Sequence, residues 1–279
     1  HEFKKARQTF THYKDFRKAK LVDKADRYIQ LSYNAEELIQ KKLRVKFINM
    51  GRNINDEFPN FNPFVSGDEQ LLTYSSTDQD QFTDVYVSTR KRIGRSLWVQ
   101  ARPATRLNAT YDALVAGLST DGNLLFVHSN EFSPIKDIDV SPRIQGRFQE
   151  LDNIGTNINT EYREEGATIC PTKDTLYFAS DKPGGFGGFD LYMSVKLPNG
   201  EWALPRNLGE TINTPYNENY PFYSNDVLYF SSEGHKSMGG YDIFKTKRMY
   251  QTNQWQTPQN IGYPINNTYD NRSISFLED

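Results

Sequence analysis

Four aspartates invite a chemical reading first: Asp84, Asp137, Asp190 and Asp242. A carboxylate can act in catalysis or hold a hard cation. Their spacing argues for something else. They recur at steps of 53, 53 and 52, each opening a short apolar run such as Asp190-Leu191-Tyr192-Met193. An active site gathers different residues at one place, whereas these are one position repeated. We therefore assign them a structural role, accepting backbone N–H bonds in the turn before a strand. Glu164, Glu165 and Glu218, the last flanked by Asn217 and Asn219, offer oxygen ligands of the kind calcium takes. No EF-hand or β-helix calcium pattern surrounds them, so no metal ligand is assigned.

The remaining reactive residue types are scattered. His1, His12, His128 and His235 have no serine or aspartate at triad spacing, and no Gly-x-Ser-x-Gly elbow occurs. Gly184 to Gly188 lacks Gly-Lys-Ser/Thr and joins strand to strand, which excludes a phosphate loop. Cys170 is the one cysteine, so no intrachain disulfide forms, and its apolar run Ala167–Cys170 suits a buried small side chain. Arg90, Lys91, Arg92 and Arg95 make a basic loop that solvation explains, with an acidic partner as the sharper reading. No catalytic, cofactor-binding or metal residue is assigned, and no enzyme activity is expected.

The elements that carry these residues are set by a repeat. Serines recur as Ser76, Ser129, Ser180 and Ser232, and late aromatics as Trp98, Phe148, Trp202 and Trp255. Asparagines recur as Asn55, Asn108, Asn159, Asn213 and Asn266, at steps of 53, 51, 54 and 53. Each unit of this length shows four strand candidates, with Asn225-Asp226 and Asp121-Gly122 as tight turns between the first two. Four short antiparallel strands per unit are the mark of a β-propeller blade. Blades are expected at about 61–105, 113–150, 166–207 and 219–260. A fifth is expected to be shared, with an inner strand from 272–279 and an outer strand from 44–50. Its middle strands would come from beyond Asp279. The expectation is an all-β, five-bladed propeller spanning 44–279.

Residues 1–43 contain no Gly or Pro, and their apolar residues follow helical spacing, giving two helices at about 2–19 and 22–42. The chain carries a formal net charge of −2, which gives no pull toward nucleic acid. No run of about 18 apolar residues exists to span a membrane. Strands alternate in direction, so the blade connectors and the second-to-third-strand loops share one face. These are the long loops, and they present Tyr162, Glu164, Phe186, Tyr216, Glu218, His235 and Met238 as a candidate interaction face.

Ser119-Thr120-Asp121-Gly122-Asn123-Leu124-Leu125-Phe126 resembles the Ser-Pro-Asp-Gly turn and strand of WD40-like (PD40) repeats in TolB-type periplasmic propellers. Gly239-Gly240-Tyr241-Asp242-Ile243-Phe244 resembles their Gly-x-x-Asp-Ile-Tyr. Residues 3–13 are similar to the second helix of a tetratricopeptide repeat, with Ala6, Phe10 and Tyr13 at the packing positions. This pairing resembles Bacteroidetes envelope lipoproteins that combine tetratricopeptide, propeller and OmpA-like domains, some of the type IX secretion system. The chain shows neither a lipobox cysteine nor an OmpA-like segment. The resemblance implies a non-catalytic scaffold, periplasmic and associated with the outer membrane. Its partners would be other envelope proteins, with peptidoglycan reached through a domain outside this chain. The alternatives are a propeller glycan hydrolase or lyase, and a small-ligand or glycan sensor using the axial channel.

Overall fold

The computed structural model describes residues 2–16, 20–79, 82–91, 98–107, 112–129, 137–249 and 251–276. It is mostly β, arranged as a propeller, with two N-terminal helices. Asn108, Arg92, Arg95, His1 and residues 277–279 of the expected fifth blade lie outside the described residues, as do 17–19 of the first helix. The helices are α1 (Glu2–Lys14) and α2 (Val22–Gln40).

Four antiparallel sheets follow in chain order. Blade I holds Asn60–Val65, Leu71–Thr77, Thr83–Thr89 and Arg102–Pro103. Blade II holds Ala113–Leu118, Leu124–Ser129 and Asp137–Ile144, with Arg147–Phe148 and Asp152–Asn153 both pairing with the third strand. Blade III holds Glu164–Ile169, Thr175–Ser180, Asp190–Val195 and Arg206–Asn207. In blade IV, Glu218–Ser224, Val227–Ser232 and Asp242–Met249 are followed by Gln254–Trp255 and Gln259–Asn260, again both on the third strand. Blades II and III each lie between two others, so a second strand there is buried on both faces, as from Leu176 to Ser180. This is why simple in–out alternation is absent from these runs.

Turn chemistry follows the sequence. Asn225 and Asp226 have φ of 50° and 59°, the left-handed pair that a two-residue hairpin turn needs. In blade II the Ser119 hydroxyl donates to Asp121 (2.6 Å) and accepts from Leu124 N (2.9 Å), while Gly122 takes φ +68°. Each first strand carries a bulge, and Asn62, Gly166 and Tyr220 occupy it with left-handed φ in blades I, III and IV.

The core is laminated between blades. Phe126 and Ile138 of blade II meet Ala167, Leu176 and Phe178 of blade III, and Tyr177, Ala179 and Leu191 meet Leu228, Phe230 and Phe244 of blade IV. Phe64, Leu71 and Val85 of blade I meet Val115, Leu125 and Val127 of blade II.

Two expected strands are not strands. Residues 44–50 run without a ladder partner and leave Val45, Phe47 and Ile48 exposed at 41%, 72% and 61%. Residues 272–276 likewise have no ladder. Among the described residues there are therefore four blades rather than the five expected, because neither segment finds a strand to pair with. The helices end earlier than expected, at Lys14 and Gln40.

Candidate functional site

The expected contact residues lie on loops that touch one another. The blade III glycine loop meets the following connector, with Gly188 N donating to Tyr216 O (3.1 Å) and Phe189 N to Asn217 Oδ1 (2.9 Å). The blade IV loop meets the same connector through His235 Nε2 and Ile212 O, 2.8 Å apart. Connectors and second-to-third-strand loops thus form one surface, but its candidate residues divide sharply by exposure.

Phe186 and Tyr216 are exposed at 46% and 42%. Tyr162 is half-buried at the mouth of a cavity of about 650 Å³, with Asn62, His128, Arg163, Glu165 and Tyr220. His235 turns inward against Phe230 and Phe244, and burial pushes its imidazole down. Met238 is buried, with its loop beneath the helix pair, and Glu164 and Glu218 are fully buried. The two carboxylates are therefore turned away from the face, which corrects their place on it, whereas Met238 lines the groove beneath the helices. The reason is local. Each Glu closes its own connector, accepting from the backbone N–H of the residue four before it. Glu164 accepts from Thr160 N (3.0 Å), Thr160 Oγ1 (2.9 Å) and Ser180 Oγ (2.7 Å). Glu218 accepts from Thr214 N (2.7 Å), Thr214 Oγ1 (2.7 Å) and Ser232 Oγ (2.6 Å). Burial raises both carboxyls, Glu218 up to about 7.

The repeated aspartates have related surroundings. Asp190 accepts from Phe186 N (2.6 Å), Gly187 N (3.1 Å) and Asn207 Nδ2 (2.8 Å). Asp242 accepts from Met238 N and Asn260 Nδ2, both at 2.9 Å, and burial raises it to about 6. Asp137 is buried, while half-buried Asp84 is raised by burial and by Asp78 and Asp112. Asp190→Ala strands three donors, so it should cost on the order of 1–3 kcal/mol. A thermal melt checks this; an unchanged midpoint with loss of partner binding would make Asp190 a contact residue.

The asparagine ladder has a role that spacing alone did not reveal. Asn213 Oδ1 accepts from Leu191 N (2.8 Å) and its Nδ2 donates to Leu191 O (3.0 Å), so the side-chain amide acts as one more strand residue. Asn266 brackets Ile243 and Asn159 brackets Ile138 in the same way.

The helix pair sits on the loop face at blade IV. Asn34 Nδ2 donates to Ser237 O (2.8 Å), Lys236 pairs with Glu37 (2.5 Å), and the Arg27 guanidinium lies 4.6 Å from the Tyr216 ring centroid. Between helices and blade IV runs a groove of about 700 Å³ lined by Phe3, Phe10, Tyr28, Leu31 and Met238. Sequence reasoning missed Asn34, Lys236 and Arg27, because nothing local marks a helix residue as bound to a loop two hundred positions away.

The axial cavity is mostly apolar, and charged residues at it are paired with neighbours. Asp181 accepts from Arg163 N and Nε, both at 2.8 Å, and Glu165 accepts from Asn219 Nδ2 at 2.7 Å. Arg90, in the basic loop, pairs with Glu69 and lies over the Trp98 ring. Among the described residues, no group of three or more His, Cys, Asp or Glu could hold a metal ion, and no helix is long and apolar enough to cross a membrane. Cys170 is buried, its thiol donating to Asp174 Oδ1 at 3.1 Å.

No family model matches the sequence, and no curated protein matches it. Solved structures of similar shape include TolB from Agrobacterium tumefaciens, at 16% identity and a TM-score of 0.46, covering 74% of this chain and 67% of that one. TolB from Acinetobacter baumannii is 13% identical with a TM-score of 0.48, covering 75% of this chain and 46% of that one. A thermostable family-43 glycoside hydrolase is also 13% identical with a TM-score of 0.48, covering 74% and 77%. The chain spans about two thirds of the first TolB and under half of the second.

Proposed function

We propose that the protein is a non-catalytic interaction scaffold built on a five-bladed TolB-type ring whose last blade is shared between 44–50 and 272–279. The observation that carries the scaffold reading is the division of labour on the loop face. Its buried carboxylates are committed to backbone and hydroxyl donors, as Glu218 is to Thr214 and Ser232. Its exposed aromatics, Phe186 and Tyr216, stand beside loops that already hold a helix pair through Asn34 and Ser237. Exposed aromatics on rigid loops suit protein contacts.

In this reading the helix pair ends a tetratricopeptide-like array. The setting is the periplasm at the outer membrane, and the partners are envelope proteins. A type IX secretion assembly, or anchoring to peptidoglycan through a domain outside this chain, is the context its resemblance suggests. Photo-cross-linkers at positions 186 and 216 in cells should join the protein to envelope partners, and a linker at exposed Leu204 on the blade rim should not. A cytoplasmic location of the native protein contradicts the reading. So does robust turnover on glycoside hydrolase, lyase or peptidase substrates that is lost in Glu165→Gln, since that residue lines the axial cavity.

A further inference from the structure

The fourth strands of blades I and II border a groove of about 530 Å³. Val87, Ala104 and Phe148 wall it, and Arg102, Arg106 and Arg147 stand exposed along it. The Arg143 guanidinium lies beside Gly146 at its edge. Among the described residues, no acidic residue lines it. The chain as a whole carries a formal net charge of −2, so the positive charge is a local excess.

Blade packing does not require these arginines, because the repeat shows what their places hold elsewhere. Pro103 pairs with Tyr86 where Asn153, Asn207 and Asn260 pair with Asp139, Tyr192 and Phe244. Each of those asparagines accepts from the N–H of a glycine two residues on. Blade I has Thr105 in the glycine's place, and its turn is closed by Thr105 N donating to Pro103 O (3.0 Å) and Leu107 N to Ala104 O (2.7 Å). Arg106 stands two residues before its ladder asparagine, as Asn53 and Asn157 do. Those two donate to the carbonyls of Trp98 (2.7 Å) and Trp202 (2.6 Å) in the next blade; Arg106 donates to Gln149 Oε1 (2.7 Å).

Blade II departs from the repeat as well. A basic residue faces the late aromatic in every blade: Arg90 at Trp98, Arg143 at Phe148, Lys196 at Trp202 and Arg248 at Trp255. Arg90 pairs with Glu69. The place of Glu69 in blade II is held by Gly122, and Arg143 has no ion pair among the described residues, its Nε buried without a hydrogen-bond partner. One blade further on, between blades II and III, the places of Arg102 and Arg147 are held by Asp152 and Glu201. The same backbone accepts either sign of charge.

We propose that the groove between blades I and II binds an acidic segment of a partner protein, with carboxylates on Arg102, Arg106 and Arg147 and an apolar side chain against Val87 and Ala104. All the cations are arginines, whose planar guanidinium meets a carboxylate through two parallel bonds. They come from two blades, which spreads the charge along the groove. A compact phosphate is held by backbone N–H groups, and here Thr105 N and Leu107 N are already bonded to Pro103 O and Ala104 O. Several separate carboxylates on an extended segment match that arrangement. The site lies on other blades than Phe186 and Tyr216, so it gives the scaffold a second contact and does not depend on the blade count.

Fluorescence anisotropy on the 279-residue chain tests this with a labelled peptide rich in Asp and Glu around one phenylalanine. Binding should weaken with salt. The same peptide with Asn and Gln in place of the acids should bind at least about tenfold more weakly. Arg102→Gln combined with Arg147→Gln should weaken the acidic peptide at least about tenfold. Arg206→Gln, at the exposed blade III counterpart of Arg102, should leave it unchanged. Should the double variant melt early, Arg147→Glu alone, which places there the charge of Glu201, should give the same loss. Equal affinity for the acidic and amide peptides, or for the variant and parent proteins, overturns the proposal. Inorganic phosphate that displaces the label at lower concentration than unlabelled peptide does, or binding to phosphatidylglycerol vesicles that exceeds peptide binding and is lost in the double variant, assigns the groove to a phosphate-bearing ligand and overturns the acidic segment.

Discussion

Gly117→Ala should lower the thermal midpoint by roughly 5–10 °C, more than any surface substitution. Gly117 lies on the first strand of blade II, against the first strand of blade III. A Cβ added there would overlap the carbonyl oxygen of Ala167 and stand 2.9 Å from its carbonyl carbon. Both are backbone atoms of blade III, so no rotamer change relieves the clash, and the two blades must part. Their interface includes Ala116, Phe126 and Ile138 against Ala167, Leu176 and Phe178, and it is buried throughout. Overpacking a tight contact of this kind costs about 1–3 kcal/mol, and a backbone obstacle sits at the upper end. Differential scanning calorimetry measures it, with Gly155→Ala, where an added Cβ meets nothing within 4 Å, as the comparison. Gly155 itself has a φ of 116°, so its substitution carries backbone strain without a clash. Equal losses in the two variants would assign the effect to glycine's flexibility and remove the close approach as its cause.

Glu218→Gln should flatten the pH dependence of stability between pH 4.5 and 7. Burial lifts the Glu218 carboxyl from its ordinary 4.5 to about 7. The folded state therefore holds this proton more tightly than the unfolded chain. The stabilisation is complete below pH 4.5 and is lost as pH rises through 7, a change on the order of 3 kcal/mol. Asp242, raised to about 6, adds loss of the same sign from about pH 4 upward, which the variant retains. Glutamine can keep the local bonds. Its carbonyl takes the Thr214 N–H, and its amide donates to the Ser232 and Thr214 hydroxyls, which rotate to accept. Melting curves from pH 4.5 to 8 should therefore converge in acid and separate above pH 7, with the variant more stable. Parallel curves would mean that Glu218 does not titrate in this range. Glu218→Ala should be less stable throughout, since Thr214 N–H and the Ser232 hydroxyl lose their acceptor.

The repeat was legible because every blade needs the same few polar devices at the same places. A turn serine such as Ser119, an aspartate such as Asp190 and an asparagine such as Asn213 each satisfy backbone groups that a blade cannot satisfy otherwise. The requirement returns once per blade, so the residues return at one period. That period, the strands it implies and the turn at Asn225-Asp226 needed no coordinates. Neither did the pairing of a charged helical segment with a β region. The side of each blade that carries the long loops also follows from strand alternation alone.

Burial and partnership were decided only by the tertiary structure. Glu164 and Phe186 both lie on or beside long loops, yet one is buried and the other exposed. The Thr160 and Ser180 groups around Glu164 come together through the fold of the connector and the register of blade III, neither of which is a local property. Asn34 and Ser237 meet because the helix pair lies on blade IV, and no periodicity in either segment records that contact. Asn55 belongs to the same ladder as Asn213 and makes the same bond to its own turn, but it has no strand to bracket. A ladder position specifies what a side chain can bind; only the arrangement of blades around the axis determines whether a strand is there to be bound.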